Sequence, residues 1–152
     1  MNLNVTTQYS TKKPLLEVFS LFNKDMFYFL TKNGPVQPIR YDGDEIGDEV
    51  HLDMLFPWKD KWVSVITAKE ITEKECYFVD EGKVLPFGIK TWKHKHIVKK
   101  SDDGVTIIDE IEFSSKNWLL DRFWFISFLP QFLARKKQYK QYLNRYEKVN
   151  HK

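Results

Sequence analysis

The side chains best suited to chemistry are His94 and His96, two positions apart in Trp92-Lys93-His94-Lys95-His96-Ile97-Val98. A strand turns alternate side chains to opposite faces, which puts Trp92, His94, His96 and Val98 on one side and Lys93, Lys95 and Lys99 mainly on the other. The lysine face must be the wet one, because an unpaired ammonium costs far more to bury than a neutral imidazole. Two histidines are therefore expected inside, among apolar neighbours. In the following segment Val105, Ile107, Asp109, Ile111 and Phe113 form a more apolar set than Thr106, Ile108, Glu110 and Glu112. Asp109 should point inward with its set, into the interior that holds the histidines. Opposed side chains of neighbouring strands sit ~5 Å apart at Cβ, close enough to interact.

Three kinds of chemistry are open to His94, His96 and Asp109. They can form a satisfied polar group inside the core, since buried polar atoms need partners. They can form the polar end of a ligand cavity, orienting a hydroxyl, carbonyl or carboxylate. Two histidines and an acid also resemble a two-His-one-carboxylate metal set, although two histidines on one strand are a weak basis for that reading. The same three are the candidate catalytic residues: an inward Asp109 would fix an imidazole tautomer, and the imidazole would move a substrate proton, as in cyclase or isomerase chemistry. No nucleophile motif or phosphate-binding glycine loop accompanies them. The expectation carried forward is a ligand-binding set of Trp62, Phe78, Trp92, His94, His96, Asp109 and Ile111, with no metal and no cofactor assigned.

The elements that must position this set can be taken in order. Leu3 to Tyr9 alternates and predicts a first strand. Pro14 is tolerated in a helix's first turn, and Leu15, Leu16, Val18, Phe19 and Phe22 recur at helical spacing. A second short helix is expected from about Asp25 through Leu30, stopped by Asn33-Gly34-Pro35. Strands follow over Pro38–Asp42, Val50–Phe56, Trp62–Lys69 and Glu75–Asp80, then the histidine strand and Val105–Phe113, joined by Ser101-Asp102-Asp103-Gly104. The simplest topology pairs sequential strands antiparallel. Pro130 is expected to open a long helix to about Lys148, with Phe132, Leu133, Tyr139, Tyr142, Leu143 and Tyr146 on its apolar side. Arg135, Lys137, Lys140, Arg145 and Lys148 fall on its other side.

At 152 residues the chain is expected to be one domain, residues 1–152, long enough to bury a core. Aromatic residues make up 16 %, more than a compact core needs, which suits a large apolar cavity or an adhesive surface. A net charge of +3 is too mild to imply nucleic acid. The lone Cys76 excludes an internal disulfide and a cysteine-based zinc site. The first residues lack the apolar run of a signal peptide, so a cytoplasmic location is expected. Trp118–Leu129 is rich in aromatics but shorter than the ~20 apolar residues that span a bilayer. Its alternatives are a lid or membrane-touching segment, or, as preferred here, a cover over the sheet edge.

One strand, two short helices, six antiparallel strands and a long C-terminal helix is the element order of the helix-grip fold. The sequence resembles the START/polyketide-cyclase-like (SRPBCC) superfamily in Phe78-Val79-Asp80-Glu81, Pro86-Phe87, Trp92-Lys93-His94-Lys95-His96, Gly104, Asp109 and the late Phe132…Arg135…Leu143 pattern. It departs at Leu85, where the family often has glycine, and in a longer gap between Phe87 and Trp92. The resemblance implies an α+β domain whose seven-stranded, curved antiparallel sheet wraps the C-terminal helix and leaves a cavity. It implies an apolar small molecule such as a lipid, polyketide or aromatic as partner, with His94, His96 and Asp109 at the polar end. The alternatives it leaves are a cyclase or isomerase in that cavity and a peripheral membrane or interaction protein acting through residues 118–129.

Overall fold

The first strand shows how the chain is built: from Asn2 to Ser10 every second side chain is buried, taking Leu3, Val5, Thr7 and Tyr9 inward. That period of two, with one wet face, recurs across the sheet. The computed structural model describes residues 1–149. In order they form β1 (Asn2–Ser10), α1 (Leu15–Ser20), α2 (Lys24–Thr31), β2 (Val36–Tyr41), β3 (Glu49–Met54), β4 (Asp60–Ile71), β5 (Glu75–Val84), β6 (Ile89–Ser101), β7 (Gly104–Ser115) and α3 (Trp118–Val149). The expected class and element order are the observed ones.

All seven strands form one antiparallel sheet, ordered β1-β7-β6-β5-β4-β3-β2. Sequential pairing therefore holds from β2 to β7 and fails at β1. The two short helices carry the chain across the sheet, so β1 lies along β7, with Val5 opposite Asp109. Register shifts in the β2–β3, β4–β5 and β6–β7 pairs add the local bend and twist that curl a sheet. At the β6–β7 turn the chain crosses β1 closely. Gly104 has φ +155°, and a Cβ there would fall 2.1 Å from the Tyr9 carbonyl oxygen. Only glycine fits that approach.

The long helix starts twelve residues before the proline expected to open it. Asn117 Oδ1 accepts the Leu120 N–H at 3.0 Å and caps the first turn. Pro130 then lies inside α3, where it removes one intrahelical donor. Its turn is supported by Gln131, whose Nε2 donates to the Ser127 carbonyl at 3.1 Å. Trp118–Leu129 is thus the first third of this helix and not a separate lid. Its inner side chains Trp124 and Phe128 are buried against Trp62, Trp92 and Phe113.

Helix α3 packs on β1 and β7, while α2 spans from α3 to β2. Two apolar clusters result. One gathers Tyr9, Phe19, Phe22, Phe78, Val98, Ile107, Tyr139 and Leu143. The other gathers Leu3, Val5, Trp62, Trp92, Ile111, Phe113, Trp124 and Phe132.

Candidate functional site

Between the two clusters runs a polar belt, one step of the strand period from each. Thr7 falls between Val5 and Tyr9, Ser64 between Trp62 and Ile66, and Asp109 between Ile107 and Ile111. His94 and His96 fall between Trp92 and Val98 in the same way. The flanking members belong to opposite clusters in every case. The belt's five central members are Asp80 on β5, His94 and His96 on β6, Asp109 on β7 and Arg135 on α3.

The histidines do face inward, and they stack on each other with ring centroids 3.6 Å apart. Phe78 stacks on the far side of His96 at 4.3 Å, and Phe132 sets its edge against His94 at 5.4 Å. His94 Nε2 lies 2.8 Å from Asp109 Oδ1, and His96 Nε2 lies 2.7 Å from Asp80 Oδ2. A carboxylate only accepts, so both Nε2 atoms carry the proton. The second nitrogens complete a square: His94 Nδ1 is 3.7 Å from Asp80 and His96 Nδ1 is 3.7 Å from Asp109.

Each carboxylate has further donors. Trp92 Nε1 donates to Asp80 Oδ1 at 3.1 Å. Arg135 Nη1 donates to Asp109 Oδ1 at 3.1 Å, and the Tyr139 hydroxyl lies 3.1 and 3.0 Å from the two oxygens of Asp109. Burial by itself raises the Asp109 carboxyl, but the Arg135 charge and the His94 bond outweigh it and hold the group far below its ordinary value. Burial likewise works against Asp80 ionisation, and the His96 bond and the two imidazoles hold it below its ordinary value. Burial, reinforced by the neighbouring His96, pushes the His94 imidazole down to about 4 against the pull of Asp109. At neutral pH His94 is an uncharged donor. Burial and the nearby Asp109 raise the Tyr139 phenol, which stays protonated as well.

A cavity of about 510 Å³ opens beside α3, over β2–β6 and against α2. Trp62, Phe78, Trp92, His94 and His96 line it. Two of the expected ligand contacts do not. Asp109 is 1 % and Ile111 0 % exposed, because β7 lies directly beneath α3 while the cavity lies beside it. Asp109 acts one layer back, holding His94 and Arg135. Alternation along a strand reveals a face but not what covers it.

Two residues of the belt are not among the expected site residues. Asp80 lines the cavity, and period two from the inward Phe78 pointed to it. The charge of Arg135 suggests the wet side of the helix, yet it follows Phe132 by three and precedes Tyr139 by four, the spacing of one helical face. It lines the cavity with Tyr139 and lays its guanidinium over the Phe132 ring at 4.6 Å.

The possible metal donors also differ from those expected. Asp80, His94 and His96 can each bring one ligand atom within 4.8 Å of the others, with Asp80 in place of Asp109. A tetrahedral centre needs donors converging to about 3.3 Å from one another. Here the donor atoms lie within 4.8 Å of one another, and both Nε2 protons go to carboxylates. The arrangement is two hydrogen-bonded His–Asp pairs whose imidazoles lie against each other.

No protein-family model matches the chain, and no curated protein matches it either. Solved structures do. A Staphylococcus aureus protein of unknown function is 9 % identical, covering 97 % of this chain and 96 % of its own, with a TM-score of 0.67. A norcoclaurine synthase from Thalictrum flavum, in complex with dopamine and hydroxybenzaldehyde, is 11 % identical over 95 % of this chain and 86 % of its own, at 0.60. Ara h 8.0201 is 13 % identical over 95 % and 99 %, at 0.56. The likeness is one of architecture: the chain has the helix-grip fold, that of the superfamily its sequence resembles.

Proposed function

We propose that this protein binds an apolar small molecule in the cavity beside α3, with Asp80, His96 and Arg135 orienting the ligand's polar group. One observation carries the reading: a space of about 510 Å³ is walled by aromatic side chains and meets the polar belt on one side. That volume falls within the range of small-molecule sites, which are mostly apolar with a few placed polar groups. Asp80 on β5 and Arg135 on α3 offer the cavity an acceptor and a donor. The norcoclaurine synthase neighbour holds small aromatic molecules on the same fold, which supports the class of ligand without naming it.

The deciding experiment is native mass spectrometry of freshly purified protein, with analysis of its organic extract. A stoichiometric apolar compound is the expected result. Bare protein that also fails to displace or enhance an apolar fluorophore such as anilinonaphthalene sulfonate would overturn the reading.

A second reading rests on the His96–Asp80 pair. It faces the cavity, and an imidazole held by a carboxylate is suited to moving a substrate proton. In that case His96→Gln lowers turnover while ligand affinity is largely kept.

A further inference from the structure

The N-terminal half of α3 is apolar on both sides. Trp124, Phe128 and Phe132 face the core, yet Trp118, Leu119, Phe123, Ile126 and Leu133 are exposed on the other side. A helix that is hydrophobic all round is normally covered, yet Trp118, Leu119 and Ile126 on this face are 61–68 % exposed. Two loops extend it. Trp58 stacks on Phe123 at 6.0 Å and meets Phe87 edge-on at 6.0 Å, and the Lys116 N–H donates to the Gly88 carbonyl at 2.9 Å. Phe56, Phe87, Trp118, Leu119 and Ile126 are 57–69 % exposed. One end of the molecule therefore presents an aromatic surface made of three separate segments.

Charge identifies its partner. Lys59, Lys90, Lys116 and Arg122 are exposed within these segments, and none forms an ion pair among the described residues. Lys116 instead stands over the Phe87 ring at 4.8 Å. The two acids of the same segments are turned to the backbone: Asp60 Oδ2 accepts the Phe87 N–H at 2.8 Å, and Asp121 Oδ1 accepts the Ser115 N–H at 2.7 Å. Exposed aromatics with unpaired cations around them match the interface of an anionic bilayer, where indole rings settle at headgroup depth and apolar side chains enter the acyl boundary. Among the described residues no helix is long and apolar enough to cross a membrane.

We propose that this face docks on an anionic membrane surface. Phe56 and Pro57 belong to it and also line the cavity, so docking sets the cavity mouth against the lipid. The docking itself does not depend on what the cavity holds, and vesicles without added ligand test it alone.

The test is co-sedimentation with phosphatidylcholine vesicles, with and without phosphatidylglycerol. The expected result is binding to the anionic vesicles at low salt, reduced at least tenfold at high salt or without phosphatidylglycerol. The triple variant Trp118→Ser, Leu119→Ser, Ile126→Ser and the quadruple variant Lys59→Gln, Lys90→Gln, Lys116→Gln, Arg122→Gln should each lower partitioning at least tenfold, with unchanged melting midpoints. No binding by the wild type at low salt would overturn the proposal, as would equal binding by both variants. A dimer in sedimentation velocity that the triple variant abolishes and vesicles do not dissolve would also overturn it, by showing a second copy on this face. Brominated lipid should quench wild-type tryptophan emission more than that of Trp118→Phe, a readout on folded protein in either case.

Discussion

Arg135 Nη1 stands 3.1 Å from Asp109 Oδ1, a helix cation set on a sheet anion that is 1 % exposed. Breaking such a pair from one side leaves an uncompensated buried charge, at a cost of about 3–5 kcal/mol. Arg135→Met should therefore destabilise the protein by that order in urea unfolding at neutral pH. The loss should shrink as the pH falls, because Asp109 without its cation titrates higher and can be neutralised. Adding Asp109→Asn should recover part of the loss, since asparagine still accepts the His94 proton and carries no charge. A double variant no more stable than Arg135→Met alone would show that the pair is not coupled.

The two histidines should separate by assay. His94 is 3 % exposed and holds Asp109, whereas His96 holds Asp80 on the cavity wall. His94→Ala opens a void and strips a donor from a buried anion, with an expected cost of about 2–4 kcal/mol. His96→Ala should cost less stability and weaken displacement of a cavity-bound fluorophore more. Equal loss of stability with unchanged fluorophore affinity in both variants would mark the whole belt as structural.

How far the site was legible depended on which physical constraint placed each residue. Lysines alternating with histidines set the inward face of β6, because charge and burial exclude each other over a span of two. Asp109 was legible as inward for the same reason, but its depth came from β1 pairing along β7 and α3 lying over it, contacts made by residues about a hundred and about thirty positions away. Arg135 was misplaced because its charge suggested water, whereas its helical spacing from Phe132 and Tyr139 pointed to the core. The pairing of β1 with β7 and the start of α3 at Trp118 were likewise missed: a strand does not announce a non-local partner, and Pro130 looked like a beginning where Asn117 is the cap.

Gly104 offers a test of the fold independent of the site. Its positive φ and its position against the Tyr9 carbonyl leave no room for a Cβ, and the obstacle is backbone, which cannot rotate away. Gly104→Ala should cost about 2 kcal/mol or more and loosen the β1 edge in amide exchange. At Gly82 a Cβ would meet the Leu85 side chain at 2.5–2.8 Å, which can turn aside where backbone cannot, so Gly82→Ala should cost less than Gly104→Ala.

The last prediction concerns acid. His94 has a folded value of about 4, below the 6.5 of a free imidazole. Between these limits the unfolded chain binds a proton that the native protein refuses, so stability rises with pH across the window. The contribution of His94 is present in full above pH 6.5 and is lost as the pH falls towards 4, by up to roughly 3 kcal/mol. Asp80 and Asp109 are held below their ordinary values, so their contribution is present above about pH 4 and is lost below it, with the same sign. Urea midpoints should therefore fall from pH 7 to pH 4.5, before most carboxylates titrate. His94→Gln keeps a donor for Asp109 without an ionising ring, and should flatten that slope while lowering the plateau. A wild-type midpoint that holds steady or rises from pH 7 to pH 4.5 would mean that the native belt accepts a proton, and that His94 is not the uncharged member of the stack.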